Sequence, residues 1–392
     1  MFVPSVKFPV AFSYGTSAEV VFGNGTSGLV GKYLLALAAR KVLFIVDKGV
    51  SAAGLCERVE KSLGAAGVVW ETYDAITTEP TDSSVQGAVN LIMSCNPDAV
   101  VGMGGGSAMD IAKAAAAIAA NGGTVLEYLR KQRELKRPPV PVIAITTTSG
   151  TGAEVTPFSL VTDVERQLKM MIEGPLIMPK VALCDPELTL ELPPLLTANT
   201  GLDALTHCIE CYANRIFHPY AKFTALEGIR VIGRHLVSAV ANGGDLATRW
   251  YMMWGANLGG LCIARGFTGD VHAFAGPIST KYGVPHGRSN AILLPHVMQF
   301  SLPGAVDAYA DIAEALGENI EGLSRVAAAE RAVFAVRRIV VDCGGPQRIS
   351  QCGVRKEDIE NIARDGFGRG NRLINPRIAT REDVEAIYRA AF

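Results

Sequence analysis

The stretch DAVVGMGGGSAMDIAKAAA, residues 98–116, decides the fold. It passes from a β-branched apolar run into three successive glycines, Gly104 to Gly106, and on into an alanine-rich helical pattern. A strand that turns tightly into a helix is the unit from which parallel sheets are wound. Working outward, VLFIV (42–46), GVVW (67–70) and PVIAIT (141–146) are further short apolar runs, with helical patterns near 51–64, 83–95 and 107–120. Continuous apolar strands of this kind are covered on both faces, so the spacing predicts an α/β, Rossmann-like domain. From about residue 191 the strand runs stop. Helical stretches follow at 218–241, 246–265, 304–316, 323–344 and 355–366, with Gly or Pro between them. The boundary is expected just before Pro193 and Pro194, which precede a new helix. This gives an α/β domain over 1–190 and an all-helical domain over 191–392, with a cleft between them as the natural ligand site.

The bulk composition narrows the class. With 37 basic against 38 acidic residues, nothing directs the chain to nucleic acid or to an anionic membrane surface. The first residues, MFVPSVKFPVAFSYG, lack the basic-then-apolar layout of a signal peptide. The longest apolar-looking run, AVVGMGGGSAMDIAKAAAAIAA, is interrupted by Asp110, Lys113 and four glycines, so it is not expected to span a bilayer. Eight cysteines scattered through a large chain read as reduced core thiols, and a cytoplasmic location is expected.

Two glycine-bearing turns carry the first functional signal. In the 98–116 stretch the glycines let backbone approach a phosphate closely, and the helix that follows offers free N–H groups and a positive dipole end. The spacing is neither the GxGxxG fingerprint nor a Walker loop, since no GK[ST] follows. ITTTSGTGAEVTPF (145–158) leaves another strand and sets Thr146, Thr147, Thr148, Ser149 and Thr151 around Gly150 and Gly152. Hydroxyls beside flexible backbone suit a pyrophosphate or ribose, although a capped polar turn has the same composition. Two such loops after neighbouring strands point to a dinucleotide rather than a lone phosphate. Asp47 closes the run VLFIVD; it is either a helix-capping carboxylate or an acceptor for the adenosine ribose hydroxyls that repels a 2′-phosphate, which favours NAD over NADP.

The second signal is a set of metal-ligand residue types. GLDALTHCIECYAN (201–214) sits on an expected helix, where Asp203 and His207 are four apart and project from one face. HAFAGPISTKYGVPHG (272–287) holds His272 and His286 in a stretch too rich in Gly and Pro to be one helix. One carboxylate with three imidazoles suits Fe²⁺, Zn²⁺ or another first-row divalent ion. His218, His235 and His296 have no partner at a ligand spacing and read as structural. Cys208 points away from the Asp203/His207 face, and with no second CxxC both Cys208 and Cys211 read as core thiols.

Together, GGGSAMD, TTTSGTGAEVTPF, GLDALTH and VHAFAGPISTKYGVPHGRSNAILLPHVMQF resemble the iron-containing (group III) alcohol dehydrogenase family in order and spacing, over essentially the whole chain. The resemblance implies a dehydroquinate-synthase-like fold: a Rossmann-like NAD-binding domain and an all-α metal-binding domain. It implies a metal-dependent, NAD(H)-linked alcohol dehydrogenase or aldehyde reductase acting on a primary alcohol or aldehyde. Carried over by position, the metal ligands are Asp203, His207, His272 and His286, the last two also catalytic. The cofactor contacts are Asp47, Gly105, Gly106, Ser107, Asp110, Thr147, Thr148, Thr151, Thr156 and Lys169. In this chemistry the ion acts as a Lewis acid on the alcohol oxygen while hydride passes to the nicotinamide. A homodimer or larger homo-oligomer is expected. The rival reading is a dehydroquinate-synthase-like lyase, whose sites resemble a Glu with two His among several lysines; few lysines lie near these motifs.

One departure concerns the substrate. Family members commonly carry HxxxHP, whereas this chain has HAFAGP, with Gly276 in the second histidine's place. The loss is expected to leave room for a bulkier or differently charged substrate. Arg265 and Arg288 flank the loop ligands, Phe158 ends the second glycine-bearing loop, and Arg369 and Arg372 lie in RDGFGRGNRLINPR (364–377). Guanidinium groups beside a metal site suit an anionic group on the substrate, such as a carboxylate, sulfonate or phosphonate.

Overall fold

The computed structural model describes residues 18–76, 79–370 and 372–392. The chain divides into two compact units, one running to Glu191 and one from Leu192 to Phe392. Among its described residues the first contains eight strands: β1 (Glu19–Phe22), β2 (Lys41–Val46), β3 (Val69–Tyr73), β4 (Ala99–Gly104), β5 (Val142–Thr146), β6 (Phe158–Asp163), β7 (Leu168–Glu173) and β8 (Val181–Cys184). Six of them form one sheet in the order β1-β8-β5-β4-β2-β3, and every neighbouring pair is parallel. β6 and β7 make a separate antiparallel hairpin.

The apolar runs are continuous because the sheet is covered twice. Val42, Phe44 and Val46 of β2 join Val101, Met103, Ile143 and Ile145 in one core. Leu43 and Ile45 join Val100 and Val142 in the other, under Val85, Val89 and Ile92 and under Ile111, Ala115 and Ile118. Successive side chains on a strand point to opposite faces, so a run with no polar interruption needs helices on both. Each such aliphatic side chain contributes about 1.5–3 kcal/mol when fully buried. The edge strand β3 is largely exposed. The pattern at 51–64 is two helices, Lys48–Ala52 and Glu57–Ala65. Gly54 between them adopts φ +71°, a left-handed conformation that ends a helix.

No strand occurs among the described residues of the second unit. Its long helices are Pro194–Ala213, Pro219–Ala241, Leu246–Gly266, Asp270–Tyr282, His286–Ser301, Val306–Ala315, Arg325–Asp342, Ile359–Phe367 and Arg381–Ala390. Two histidines read as structural have structural contacts. His218 accepts a hydrogen bond from the Ala221 N–H at 3.2 Å as the N-cap of its helix, and His235 stacks on Tyr251 with ring centroids 4.3 Å apart. The 272–287 stretch breaks at Gly283, at φ +64°, and restarts after Pro285. The two histidines therefore sit on two helices. No helix among the described residues is long and apolar enough to cross a membrane.

Candidate active site

In the first unit Asp47 directly follows β2, Gly105, Gly106 and Ser107 follow β4, and Thr147 and Thr148 follow β5. The 16-residue helix Gly106–Asn121 follows β4 directly, and its N-cap is Gly105, which has no side chain to cap it. The two glycine-bearing turns touch: a Cβ on Gly106 would lie 2.9 Å from Thr151 Cγ2, and one on Gly105 would lie 3.5 Å from Thr148 Cγ2. The Thr147 N–H donates to the Gly104 carbonyl at 2.9 Å, which ties the second turn to the first. Asp47 serves its helix and remains available as well. Its Oδ1 accepts from the Val50 N–H at 2.9 Å, while Oδ2 faces Gly104, 2.8 Å from where a Cβ would be.

Other expected cofactor residues have partners within the protein. Asp110 pairs with Lys113 at 2.9 Å and accepts from the Leu160 N–H at 3.0 Å. Thr156 is buried within 3.3 Å of Lys113 Nζ, and Lys169 pairs with Glu79 at 2.7 Å. Lys113 was not singled out as a site residue, and it organises this corner. Fully buried, it donates to the carbonyls of Ala153, at 2.9 Å, and Phe158, so it fastens the second turn to the Gly106–Asn121 helix. Its sequence signal was Asp110-x-x-Lys113, a spacing that puts acid and base on one helix face.

The second unit brings its four expected ligands together. Asp203 and His207 share a face of Pro194–Ala213, His272 lies in the first turn of Asp270–Tyr282, and His286 opens His286–Ser301. Asp203 Oδ1 lies 3.9 Å from His207 Nε2, 3.7 Å from His272 Nε2 and 3.9 Å from His286 Nε2. Ligand atoms of Asp203, His207 and His272 all lie within 4.8 Å of one another. The approach depends on Gly287: a Cβ there would fall 1.9 Å from the Asn199 carbonyl oxygen, so only glycine lets the His286 helix reach the Asp203 helix. Burial pushes the Asp203 carboxyl upward, but His207, His286, His272 and a bond from Asn290 outweigh it and leave the pKa at about 2.

Two residues of this site escaped the sequence reading. Buried Glu210 accepts from the Val271 N–H at 2.6 Å and lies 2.5 Å from His272 Nδ1. A carboxylate there requires the proton on Nδ1, which leaves Nε2 as an acceptor turned toward Asp203. Asn290, one turn beyond His286, donates through Nδ2 to Asp203 Oδ1 at 2.7 Å and lies 3.3 Å from both His272 Nε2 and His286 Nε2. Their signals were the spacings His207-x-x-Glu210 and His286-x-x-x-Asn290.

The substrate-side residues are less concentrated. Arg265 is in the last turn of Leu246–Gly266, its Nη1 on the Ala264 carbonyl at 3.2 Å. Arg288 is two residues past His286, so it projects roughly 200° round the helix from it. Phe158 opens β6 with its ring 5.9 Å from Lys113 Nζ. The room expected at Gly276 is not open, because the Arg369 guanidinium lies on it, with Nη1 2.5 Å from the Cβ position. The Arg372 side chain is outside the described residues. Cys208 packs against Gly228, and its thiol, like that of Cys211, is free and buried.

Comparison with known proteins agrees with this architecture. Residues 17–186 match the model of the iron-containing alcohol dehydrogenases, and residues 197–392 match that of the C-terminal part of the Fe-containing alcohol dehydrogenase family. An NAD-dependent methanol dehydrogenase of Bacillus methanolicus is 38% identical over 371 residues, 95% of this chain and 97% of the relative. A 1,3-propanediol dehydrogenase of Klebsiella pneumoniae is 35% identical over 383 residues, 97% of this chain and 99% of the relative. The crystal structure of a 1,3-propanediol oxidoreductase superposes with a TM-score of 0.94 at 35% identity, covering 98% of this chain and 100% of its own. These relatives are dehydrogenases, which disfavours the lyase alternative. Matching both family models along its length and carrying these relatives' fold, the chain belongs to the iron-containing alcohol dehydrogenase family.

Proposed function

We propose that this protein oxidises a primary alcohol, or reduces the corresponding aldehyde, with NAD(H) and one divalent ion, iron for preference, held by Asp203, His207, His272 and His286. The observation that carries this reading is the convergence of a carboxylate and three imidazoles at 3.7–3.9 Å. Donors held ~2.1 Å from one ion lie roughly 3–4 Å from each other, so the spacing fits a metal. The donor chemistry fits too, because Glu210 keeps the Nδ1 proton of His272 and so turns a lone pair inward. When bound, the ion supplies Lewis acidity toward the alcohol or carbonyl oxygen, and the nicotinamide exchanges hydride. The protein's own work is to hold the His272 tautomer through Glu210 and to restrain the Asp203 carboxylate through Asn290.

For the nucleotide, the Gly105–Gly106 turn, Ser107 and the glycine-capped N-terminus of Gly106–Asn121 suit a pyrophosphate. Thr147, Thr148 and Thr151 are the neighbouring hydroxyls, and Asp110, Thr156 and Lys169, which also have partners within the protein, complete the proposed cofactor contacts. The free oxygen of Asp47 suits a ribose and disfavours a 2′-phosphate. We read the substrate as one bearing an anionic group, with Arg265, Arg288, Phe158 and Gly276 as candidate neighbours. Free cysteines, seven of the eight buried, are consistent with a reducing, cytoplasmic setting, and we read the protein as a homo-oligomer, which size-exclusion chromatography tests. The deciding experiment measures metal per chain and NADH formation from 1-butanol before and after chelation. About one ion per chain, with activity lost on stripping and regained with Fe²⁺ or Zn²⁺, is expected. Full activity in metal-free protein overturns the reading.

A further inference from the structure

Most of the arginines among the described residues that reach other side chains do so through carboxylates. Arg58 pairs with Asp185 and Glu187, Arg130 with Asp163 and Glu165, and Arg325 with Asp307 and Asp311. Arg369 differs. Among the described residues no carboxylate lies within ion-pair distance of it, and its Nε, like that of Arg288, is buried without a hydrogen-bond partner. Burial lowers its pKa, Tyr388 and the carboxylate of Asp365 act against that from beyond ion-pair distance, and a guanidinium stays charged.

Its place is set by Gly276. Nη1 lies 2.5 Å, and Cδ and Cζ 3.3 Å, from the point where a Cβ on residue 276 would stand. The guanidinium therefore occupies the space that any side chain at 276 would take. Gly276 is four residues past His272 in the helix Asp270–Tyr282, so both lie on one face, ~6 Å apart along the axis. The adjoining Gly370 rests on the same helix, with its Cβ position 3.0 Å from Ala273 Cβ. A positive charge with no direct ion pair among the described residues thus stands one helical turn from an imidazole of the proposed metal site.

We propose that the Arg369 guanidinium, seated on Gly276, is the subsite for a carboxylate or sulfonate carried by the alcohol or aldehyde a short chain away from its reacting oxygen. This rests on the dehydrogenase reading, in which that oxygen is held beside His272. Gly276 and Arg369 act as a pair: the missing side chain makes the space, and the guanidinium fills it with charge. A planar guanidinium can donate two parallel hydrogen bonds to a carboxylate or sulfonate, which a neutral alcohol cannot accept.

The test compares 4-hydroxybutyrate with 1-butanol in steady-state turnover with NAD, for the wild type, Arg369→Ala and Gly276→Ala. A charged hydrogen-bonded contact corresponds to about a ten- to hundredfold preference in kcat/KM for the anion. Arg369→Ala is expected to abolish that preference. Gly276→Ala keeps the arginine and adds a helix-compatible methyl that displaces it, so the preference should shrink without loss of fold. Titration with butyrate, followed by calorimetry, reads the same subsite without turnover, and Arg369→Ala should weaken binding about tenfold or more. A wild type that favours 1-butanol, or ratios and butyrate affinities equal across all three proteins, overturns the proposal. If neither alcohol is turned over, the dehydrogenase reading fails instead, and the butyrate titration still decides the subsite.

Discussion

The turn after β4 and the imidazole cluster are built from opposite materials. At the first, glycines bring the backbone to a helix terminus whose N-cap is a glycine, and Lys113, paired with Asp110, fastens the turn. At the second, four side chains from three helices converge, and the backbone's part is to come close enough, as at Gly287. A backbone site spreads recognition over many N–H groups, so no one residue dominates it. A side-chain site concentrates function in a few atoms, each of which is indispensable. Single substitutions should therefore act very differently in the two regions.

The largest effect is expected at the cluster. His272→Ala should lose the metal and lower hydride transfer by roughly 10³–10⁵-fold, about 4–7 kcal/mol of transition-state stabilisation. Metal content and NADH formation check both together, and an active, metal-replete variant would erase the contrast between the regions. Next, Lys113→Met strips the partner from Asp110 and the support from the 153–158 backbone. A broken buried pair costs about 3–5 kcal/mol. Urea unfolding should register this as lost stability, so the turn would prove sensitive through its scaffold rather than its recognition groups. An unchanged midpoint would show that the turn holds without the lysine.

Glu210→Gln sharpens the view of the cluster from outside the ligand set. Removing a partner of this kind typically weakens metal affinity 10–100-fold, and competition with a chelator measures it. An affinity equal to that of the wild type would make Glu210 a helix-capping residue and nothing more. The smallest effect is expected at Asp47. Asp47→Gly should raise NADP(H) use relative to NAD(H) by about ten- to a hundredfold, ~1–3 kcal/mol for one charge contact, read from the ratio of kcat/KM values. A wild type that already uses NADPH as well as NADH would leave Asp47 as the N-cap it also is.

Legibility followed the range of the interactions. β2, β4 and β5 announced themselves because each is a full apolar run bounded by turn residues. β1 and β8 have four residues each, too short for a period to show, and they are strands because they pair with each other and β8 with β5. The β6–β7 hairpin was missed for a different reason. Its turn region and ends carry the charged residues Asp163, Glu165, Arg166 and Glu173, which break any apolar run, whereas Asp163 is buried and paired with Arg130. The break at Gly54 turns on a backbone angle that a helical pattern does not encode.

What the sequence by itself determined is the set of local chemistries. The glycine-rich turn leading into a helix, Asp203 and His207 on one face, and a Gly/Pro break that sends His272 and His286 to separate helices all follow from spacings of a few residues. What only the tertiary structure decided is which distant groups meet. Glu210 and His272 are 62 residues apart and Asn290 and Asp203 are 87 apart, and no local period encodes such pairs. Gly276 illustrates the limit. Its missing side chain was plain in the sequence and read as empty space, yet close packing leaves few voids, and an arginine 93 residues further on lies over it.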